Sequence, residues 1–183
     1  MREISAASQT VGPFFCIGLE HLCSDADAPA PAGYQTVRGR VLDGNGLPVP
    51  DAMLELWYAD RDGHYDVSVH DETGLPRGFI RVATGDDGAF RFCLLQPGPS
   101  AVGDGRLQAP HVLVLFFARG LLRQLITRMY FPAQTANHED PVLQLVPPDR
   151  RTTLIATQDP QKPADLTWDI RLQGEEETVF FAW

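Results

Sequence analysis

The stretch Val37 to Tyr65, VRGRVLDGNGLPVPDAMLELWYADRDGHY, has the strongest secondary-structure signals in the chain. Residues Thr36 to Leu42 alternate apolar and polar side chains and lead into the turn sequence Asp43-Gly44-Asn45-Gly46. Residues Ala52 to Tyr58 place Glu55 between two leucines, which is the period-two pattern of a half-buried strand. The stretch therefore predicts two β-strands separated by a turn-rich connection.

Strand-like segments recur in the rest of the sequence. Phe79 to Ala83 and Ala89 to Leu94 flank Gly85-Asp86-Asp87-Gly88, and this arrangement predicts a hairpin. A second hairpin is predicted from Val112 to Phe117 and Gln124 to Phe131, which are joined through Ala118-Arg119-Gly120. The remaining predicted elements are late strands at Leu166 to Leu172 and Thr178 to Phe181, and one short helix at Pro147 to Thr157.

Many short strands at regular spacing indicate an all-β fold, an antiparallel β-sandwich with one short helix. A length of 183 residues suits one domain spanning residues 1–183. Within it we expect an irregular N-terminal arm over residues 1–35 and the sandwich core over residues 36–183. The arm is expected to lie on the core or on a neighbouring chain.

Composition excludes several classes of function. The net charge is −9 at pH 7, so a nucleic-acid partner, which requires clustered basic side chains, is not expected. No membrane partner is expected either, because the longest apolar run, Val112 to Ala118, is far too short to span a bilayer. The three cysteines have an odd count and no metal-type pairing, which favours reduced thiols in a cytoplasmic protein.

The spacing of residues between Val37 and Tyr65 resembles the signature region of the intradiol ring-cleaving dioxygenases. The matching features are an internal Gly39, a turn ending at Gly46, the triplet around Glu55, and Gly63-His64-Tyr65. The resemblance implies a sandwich that, in catalytic members, holds a non-haem ferric ion through two tyrosines and two histidines. Phenolate oxygens suit ferric iron because it is a hard, highly charged acid.

The resemblance also implies that this chain has lost half of the ligand set. Tyr65 matches the first tyrosine ligand, whereas Ser100 follows Pro97-Gly98-Pro99, where the second tyrosine is expected. His111 matches the first histidine, and Leu113 replaces the second. Residues i and i+2 of a strand face the same side, which explains the family's His-x-His spacing. We therefore expect these four positions to be vestigial, with no metal and no catalytic residue in this chain.

Two further positions depart from the catalytic pattern. Gln108 lies where the pattern has arginine, and Arg128 lies where it has glutamine. Beyond the metal site, the sequence is similar to the non-catalytic, alpha-type subunits of this family. The matching segments are Ser8 to Phe14, Ala109 to His111, Phe117 to Gly120, Asp140 to Leu143, Asp169 to Glu175 and Glu177 to Phe181.

Alpha-type subunits pair with a homologous beta subunit, which bears the Fe(III). The resemblance implies that the arm and one hairpin turn of this chain line the substrate pocket of that partner, and that the substrate is a carboxylated catechol. The implied substrate-binding residues are Thr10, Gly12, Pro13 and Phe14 in the arm and Arg119 in the turn. A planar, permanently charged guanidinium suits an aromatic carboxylate.

Other interpretations of the same residues remain open. Arg119 is also compatible with a solvated turn, and Tyr65 and His111 with ordinary buried residues. His64 and His70 flank Tyr65 and could in principle complete an altered iron site, which would make the chain a self-sufficient dioxygenase. A non-enzymatic β-sandwich binding module would explain the pattern from Val37 to Glu55 alone.

Overall fold

The computed structural model describes residues 7–12, 14–25, 27–65, 78–103 and 105–182. Two β-sheets account for most of the regular structure in these ranges. The strands are β1 (Gln35–Leu42), β2 (Met53–Tyr58), β3 (Phe79–Ala83), β4 (Ala89–Leu94), β5 (Ser100–Ala101), β6 (Leu107–Gln108), β7 (His111–Phe117), β8 (Leu125–Tyr130), β9 (Thr157–Gln158), β10 (Asp165–Thr167) and β11 (Ile170–Arg171). The helical segments are α1 (Phe14–Leu19) and 3-10 turns at Glu20–Leu22, Thr135–His138, Leu143–Leu145 and Pro148–Leu154.

One sheet is antiparallel and the other is mixed. The antiparallel sheet has the order β3-β2-β7-β8. In the mixed sheet β1 pairs antiparallel with β4 and parallel with both β10 and β11, while β9 pairs antiparallel with β10. The short strands β5 and β6 form a separate pair.

The core lies between the two sheets and follows the alternation of side chains along each strand. On β7, Val112, Val114 and Phe116 are fully buried. They pack against the mixed sheet through residues that include Val37, Phe92 and Ile170. His111, Leu113 and Leu115 alternate with these core residues, so their side chains lie on the opposite, outer face of the antiparallel sheet. This geometry confirms the predicted β-sandwich.

One predicted connection is wrong. The segments Phe79–Ala83 and Ala89–Leu94 are strands, as expected, but they do not form a hairpin with each other. β3 pairs with β2 and β4 pairs with β1, so the turn at 85–88 carries the chain from one sheet to the other. Turn residues define a reversal of the chain, whereas the partner of each strand is decided by long-range packing.

The other predictions differ in detail. The second hairpin is confirmed, because β7 and β8 pair antiparallel. The late strand at Leu166–Leu172 is split into β10 and β11, and the helix expected at Pro147–Thr157 is a 3-10 helix at Pro148–Leu154. The arm contains a short α-helix, α1, that the sequence did not predict.

The C-terminal segment is anchored to β8 without being a regular strand. Phe181 N donates to Ile126 O at 2.7 Å, and Thr127 Oγ1 donates to Val179 O at 2.7 Å. Thr178 is 1% exposed. These contacts hold the apolar tail against the chain's own sheet. Among the described residues, none of the helices has the length and apolar character needed to cross a bilayer.

Candidate functional site

Two glycine-containing turns bring Tyr65 close to Ser100. Asp60 Oδ1 accepts hydrogen bonds from Asp62 N and His64 N, each at 2.9 Å, and thereby closes the turn before Tyr65. Gly63 has a φ of +85°, and a Cβ added there would lie 1.9 Å from Pro99 O. Only glycine allows this approach of the two backbones. The close approach of Pro99 therefore explains why position 63 is glycine.

The β7–β8 pair supplies the rest of the site on its outer face. His111 lies opposite Tyr130, and Leu113 lies opposite Arg128. Residues directly opposite each other in an antiparallel pair project to the same side of the sheet. The structure therefore assembles His111, Leu113, Arg128 and Tyr130 in one patch, next to Tyr65. His111 is 4% exposed, whereas Tyr65 is 47% exposed.

Hydrogen bonding sets the state of the imidazole. His111 Nδ1 lies 2.8 Å from Ala109 O, so this nitrogen carries the proton. His111 Nε2 is then an acceptor, and it lies 3.3 Å from the Tyr65 hydroxyl. Burial, reinforced by the nearby charge of Arg128, lowers the pKa of His111 to about 4. Burial also raises the pKa of Tyr65. Both side chains are therefore neutral at neutral pH.

Arg128 places a buried positive charge in this patch. Its side chain is 6% exposed, and Nη1 donates to Gln108 Oε1 and, at 3.4 Å, to Tyr130 Oη. Tyr130 in turn donates to Asp140 Oδ1 at 3.0 Å. The two positions that depart from the catalytic pattern, 108 and 128, are therefore hydrogen-bonded to each other. The network through Tyr130 to Asp140 was not predicted from the sequence.

This donor set does not fit a ferric ion. Ferric iron prefers anionic oxygen ligands, and the patch offers one phenol that could ionise on binding, one imidazole, the hydroxyl of Ser100 and the apolar Leu113. A permanently charged guanidinium lies beside them. Within the described part of the chain, no group of three or more His, Cys, Asp or Glu side chains could hold a metal ion. His64 has an exposed side chain that faces Asp60 at 3.8 Å, and His70 lies outside the described residues.

A second group of residues lies where the arm meets the β7–β8 turn. Gly120 N donates to Thr10 Oγ1 at 2.8 Å, and the Phe15 and Phe117 rings are 5.4 Å apart. Arg119 Nη2 lies 3.4 Å from Asp51 Oδ2, and its side chain is 55% exposed. The structure thus brings together Thr10 and Arg119, two of the five residues expected to bind substrate.

Gly12 and Phe14, two of the other three expected residues, are exposed to solvent. Gly12 has open space around it, with no atom within 4 Å of a Cβ built there. Phe14 is 80% exposed at the start of α1. Pro13 lies outside the described residues. The arm therefore presents an apolar, solvent-facing side chain close to the point where it contacts the hairpin turn.

The two groups lie at opposite ends of β7. His111 begins the strand and Phe117 ends it, which is a separation of roughly 20 Å at about 3.3 Å per residue. Arg119 lies still further along, in the turn. Arg119 and Thr10 are therefore too far from Tyr65 and His111 to act on the same small molecule.

Known proteins are similar to this chain in sequence and in fold. The family described as "Dioxygenase" matches residues 20–174. The chain is 41% identical to the protocatechuate 3,4-dioxygenase alpha chain of Burkholderia cepacia, over 95% of each protein. It is 31% identical to the protocatechuate 3,4-dioxygenase beta chain from that organism, over 78% of this chain and 65% of the other.

The fold of the chain is also similar to that of a solved dioxygenase structure. The dioxygenase domain of a dioxygenase carbohydrate-binding protein fusion from Streptomyces sp. SirexAA-E is 26% identical, with a TM-score of 0.58, and the similarity covers 85% of this chain and 86% of that domain. The family match includes β1 to β11, and the alpha-chain relative is matched along nearly its whole length. This chain belongs to the intradiol ring-cleaving dioxygenase family.

Proposed function

We propose that this chain is the alpha-type subunit of a hetero-oligomeric dioxygenase that cleaves protocatechuate (3,4-dihydroxybenzoate) with O₂ to 3-carboxy-cis,cis-muconate. The chain itself binds no iron and has no catalytic residue. A homologous beta subunit holds the Fe(III), and this chain lines one edge of that subunit's active site. A cytoplasmic location is part of the proposal, supported by three free thiols.

The observation that carries this proposal is the similarity to an alpha chain over 95% of both proteins. The chemistry of the outer patch supports it, because Ser100 and Leu113 supply no ligand and Arg128 adds a positive charge. The chain therefore contributes to catalysis through a surface and not through a metal site of its own.

Arg119 is the residue best suited to bind the substrate carboxylate. Its ion pair with Asp51 joins two half-exposed side chains, and pairs of this kind contribute little to stability. The guanidinium can therefore exchange Asp51 for a ligand carboxylate at small cost. Thr10 holds the arm against the same turn through Gly120 N, which keeps the exposed Phe14 nearby.

The proposal is tested by preparing the chain alone and together with a beta-type partner. Alone, the purified chain is expected to contain no stoichiometric iron and to show no tyrosinate-to-iron absorption in the visible range. The complex is expected to be coloured and to cleave protocatechuate. Stoichiometric ferric iron in the lone chain, measured by elemental analysis, would overturn the proposal.

Arg119→Ala is expected to raise the KM for protocatechuate by roughly ten-fold in the complex, because a charge-assisted contact to the carboxylate is lost. The KM for plain catechol, which lacks a carboxylate, should change little. Arg123→Ala is the matched control, since Arg123 is an exposed arginine in the same turn. Equal effects of Arg119→Ala on both substrates would assign Arg119 a structural role.

A further inference from the structure

We infer that the guanidinium of Arg128, and not only the missing ligands, excludes metal cations from the patch formed by Tyr65, Ser100, His111 and Leu113. The inference rests on the proposed absence of iron from this chain. Arg128 enforces this absence, so restoring the missing ligands is insufficient for metal binding while the positive charge of Arg128 remains.

The register of β7 against β8 places Arg128 at the site of the missing ligand. Arg128 lies directly opposite Leu113 in the β7–β8 register, and Leu113 occupies the position where a second histidine ligand would be. Arg128 is buried, with 6% of the residue exposed to solvent. It is therefore held within the patch and cannot turn away into water without abandoning its hydrogen bonds to Gln108 and Tyr130.

The positive charge of Arg128 has no direct ion-pair partner among the described residues. Among the described residues, no carboxylate oxygen lies within ion-pairing distance of Arg128, and Nε has no hydrogen-bond partner. The nearest acid in the network, Asp140, is reached only through the Tyr130 hydroxyl. Among the described residues, the charge of Arg128 is thus compensated only through its hydrogen bonds to Gln108 and Tyr130.

A cation bound in the patch would be repelled by Arg128. Like charges a few ångströms apart repel strongly where water is largely excluded. A guanidinium stays protonated at every pH at which the protein is folded, so the repulsion cannot be relieved by titration. Arg128 and His111 project from neighbouring strands to the same face of the sheet, so a metal ion at His111 would lie in the field of this guanidinium.

The test introduces one ligand and varies the charge. Leu113→His puts a second imidazole on the face of His111, and Co²⁺ is the probe, with its visible absorption and equilibrium dialysis as readouts. The double variant L113H/R128Q is expected to bind Co²⁺ at least about ten-fold more tightly than L113H. The matched control L113H/R128K keeps the positive charge and should bind no better than L113H.

Folding and the proposed function are tested separately. Circular dichroism and thermal unfolding establish that each variant is folded, and L113H/R128M replaces L113H/R128Q if the glutamine variant is unstable. If neither neutral variant binds Co²⁺ more tightly than L113H, the role of Arg128 is refuted while the proposed function stands. Stoichiometric ferric iron in the unmodified chain would instead refute the proposed function. The variant S100Y/L113H/R128Q extends the test to Fe³⁺, with tyrosinate-to-iron absorption as the signal.

Discussion

Replacing Asp140 by alanine is expected to lower the free energy of unfolding by about 3 to 5 kcal/mol. Asp140 is completely buried. Its Oδ1 accepts from Tyr130 Oη, Val142 N and Leu143 N at 3.0, 2.9 and 2.7 Å, and its Oδ2 accepts from Ala109 N at 2.8 Å. The substitution leaves these four donors, most of them buried, without an acceptor. It also removes the nearest negative charge from the network of Arg128.

Urea denaturation followed by circular dichroism measures this loss. Asp86→Ala is the control, because Asp86 is exposed in the turn between β3 and β4 and its replacement should change the free energy of unfolding by no more than about 0.5 kcal/mol. The loss of unfolding free energy for Asp140→Asn should fall between the losses for Asp140→Ala and Asp86→Ala. An amide keeps one acceptor oxygen but directs a donor at a backbone N–H. A loss below about 1 kcal/mol for Asp140→Ala would contradict the structural role assigned to this carboxylate.

Replacing Gly39 by alanine is expected to destabilise the fold by about 3 kcal/mol or more, because the site is already filled. A Cβ added at Gly39 would lie 1.9 Å from Trp168 O and 2.7 Å from Phe90 Cζ. The backbone of Trp168 cannot easily retreat. Its N–H donates to Arg38 O at 2.9 Å, and its indole Nε1 donates to Thr153 O at 3.0 Å. The substitution therefore separates β1 from the segment that joins β10 to β11.

The matched control is Gly103→Ala, because a Cβ at Gly103 meets nothing within 4 Å. This control should alter the midpoint of thermal unfolding only slightly. Gly39→Ala should lower the midpoint by many degrees or prevent recovery of folded protein, with Gly103→Ala recovered normally. Similar midpoints for the two variants would show that β1 and Trp168 can move apart without penalty.

Local sequence patterns predicted those features of the fold that depend on residues close together in the chain. Alternation over Thr36–Leu42 and Ala52–Tyr58 predicted β1 and β2, because period-two burial follows directly from the pleat of a strand. The turn at Ala118-Arg119-Gly120 predicted the β7–β8 hairpin, because a short reversal leaves adjacent antiparallel strands as the simplest outcome. The spacing of the signature motif identified the family, which the comparisons confirm.

The candidate site was predictable only in part. Motif spacing pointed to Tyr65, Ser100, His111 and Leu113, and the structure brings Tyr65 and His111 within hydrogen-bonding distance. The same spacing marked Arg128 as an unexpected residue. It could not show that this guanidinium is buried beside Tyr65 and His111, because its burial depends on the register of β7 against β8.

The sequence from Val37 to Tyr65 by itself determined the strand pattern, the position of the turns and membership of the family, since these depend on the spacing of nearby residues. Only the tertiary structure decided that β3 and β4 belong to different sheets, that Asp140 accepts hydrogen bonds from four donors, and that Thr10 reaches Gly120. Each of these results joins residues far apart in the chain. Such contacts arise when the two sheets and the arm pack together, and no local pattern specifies them.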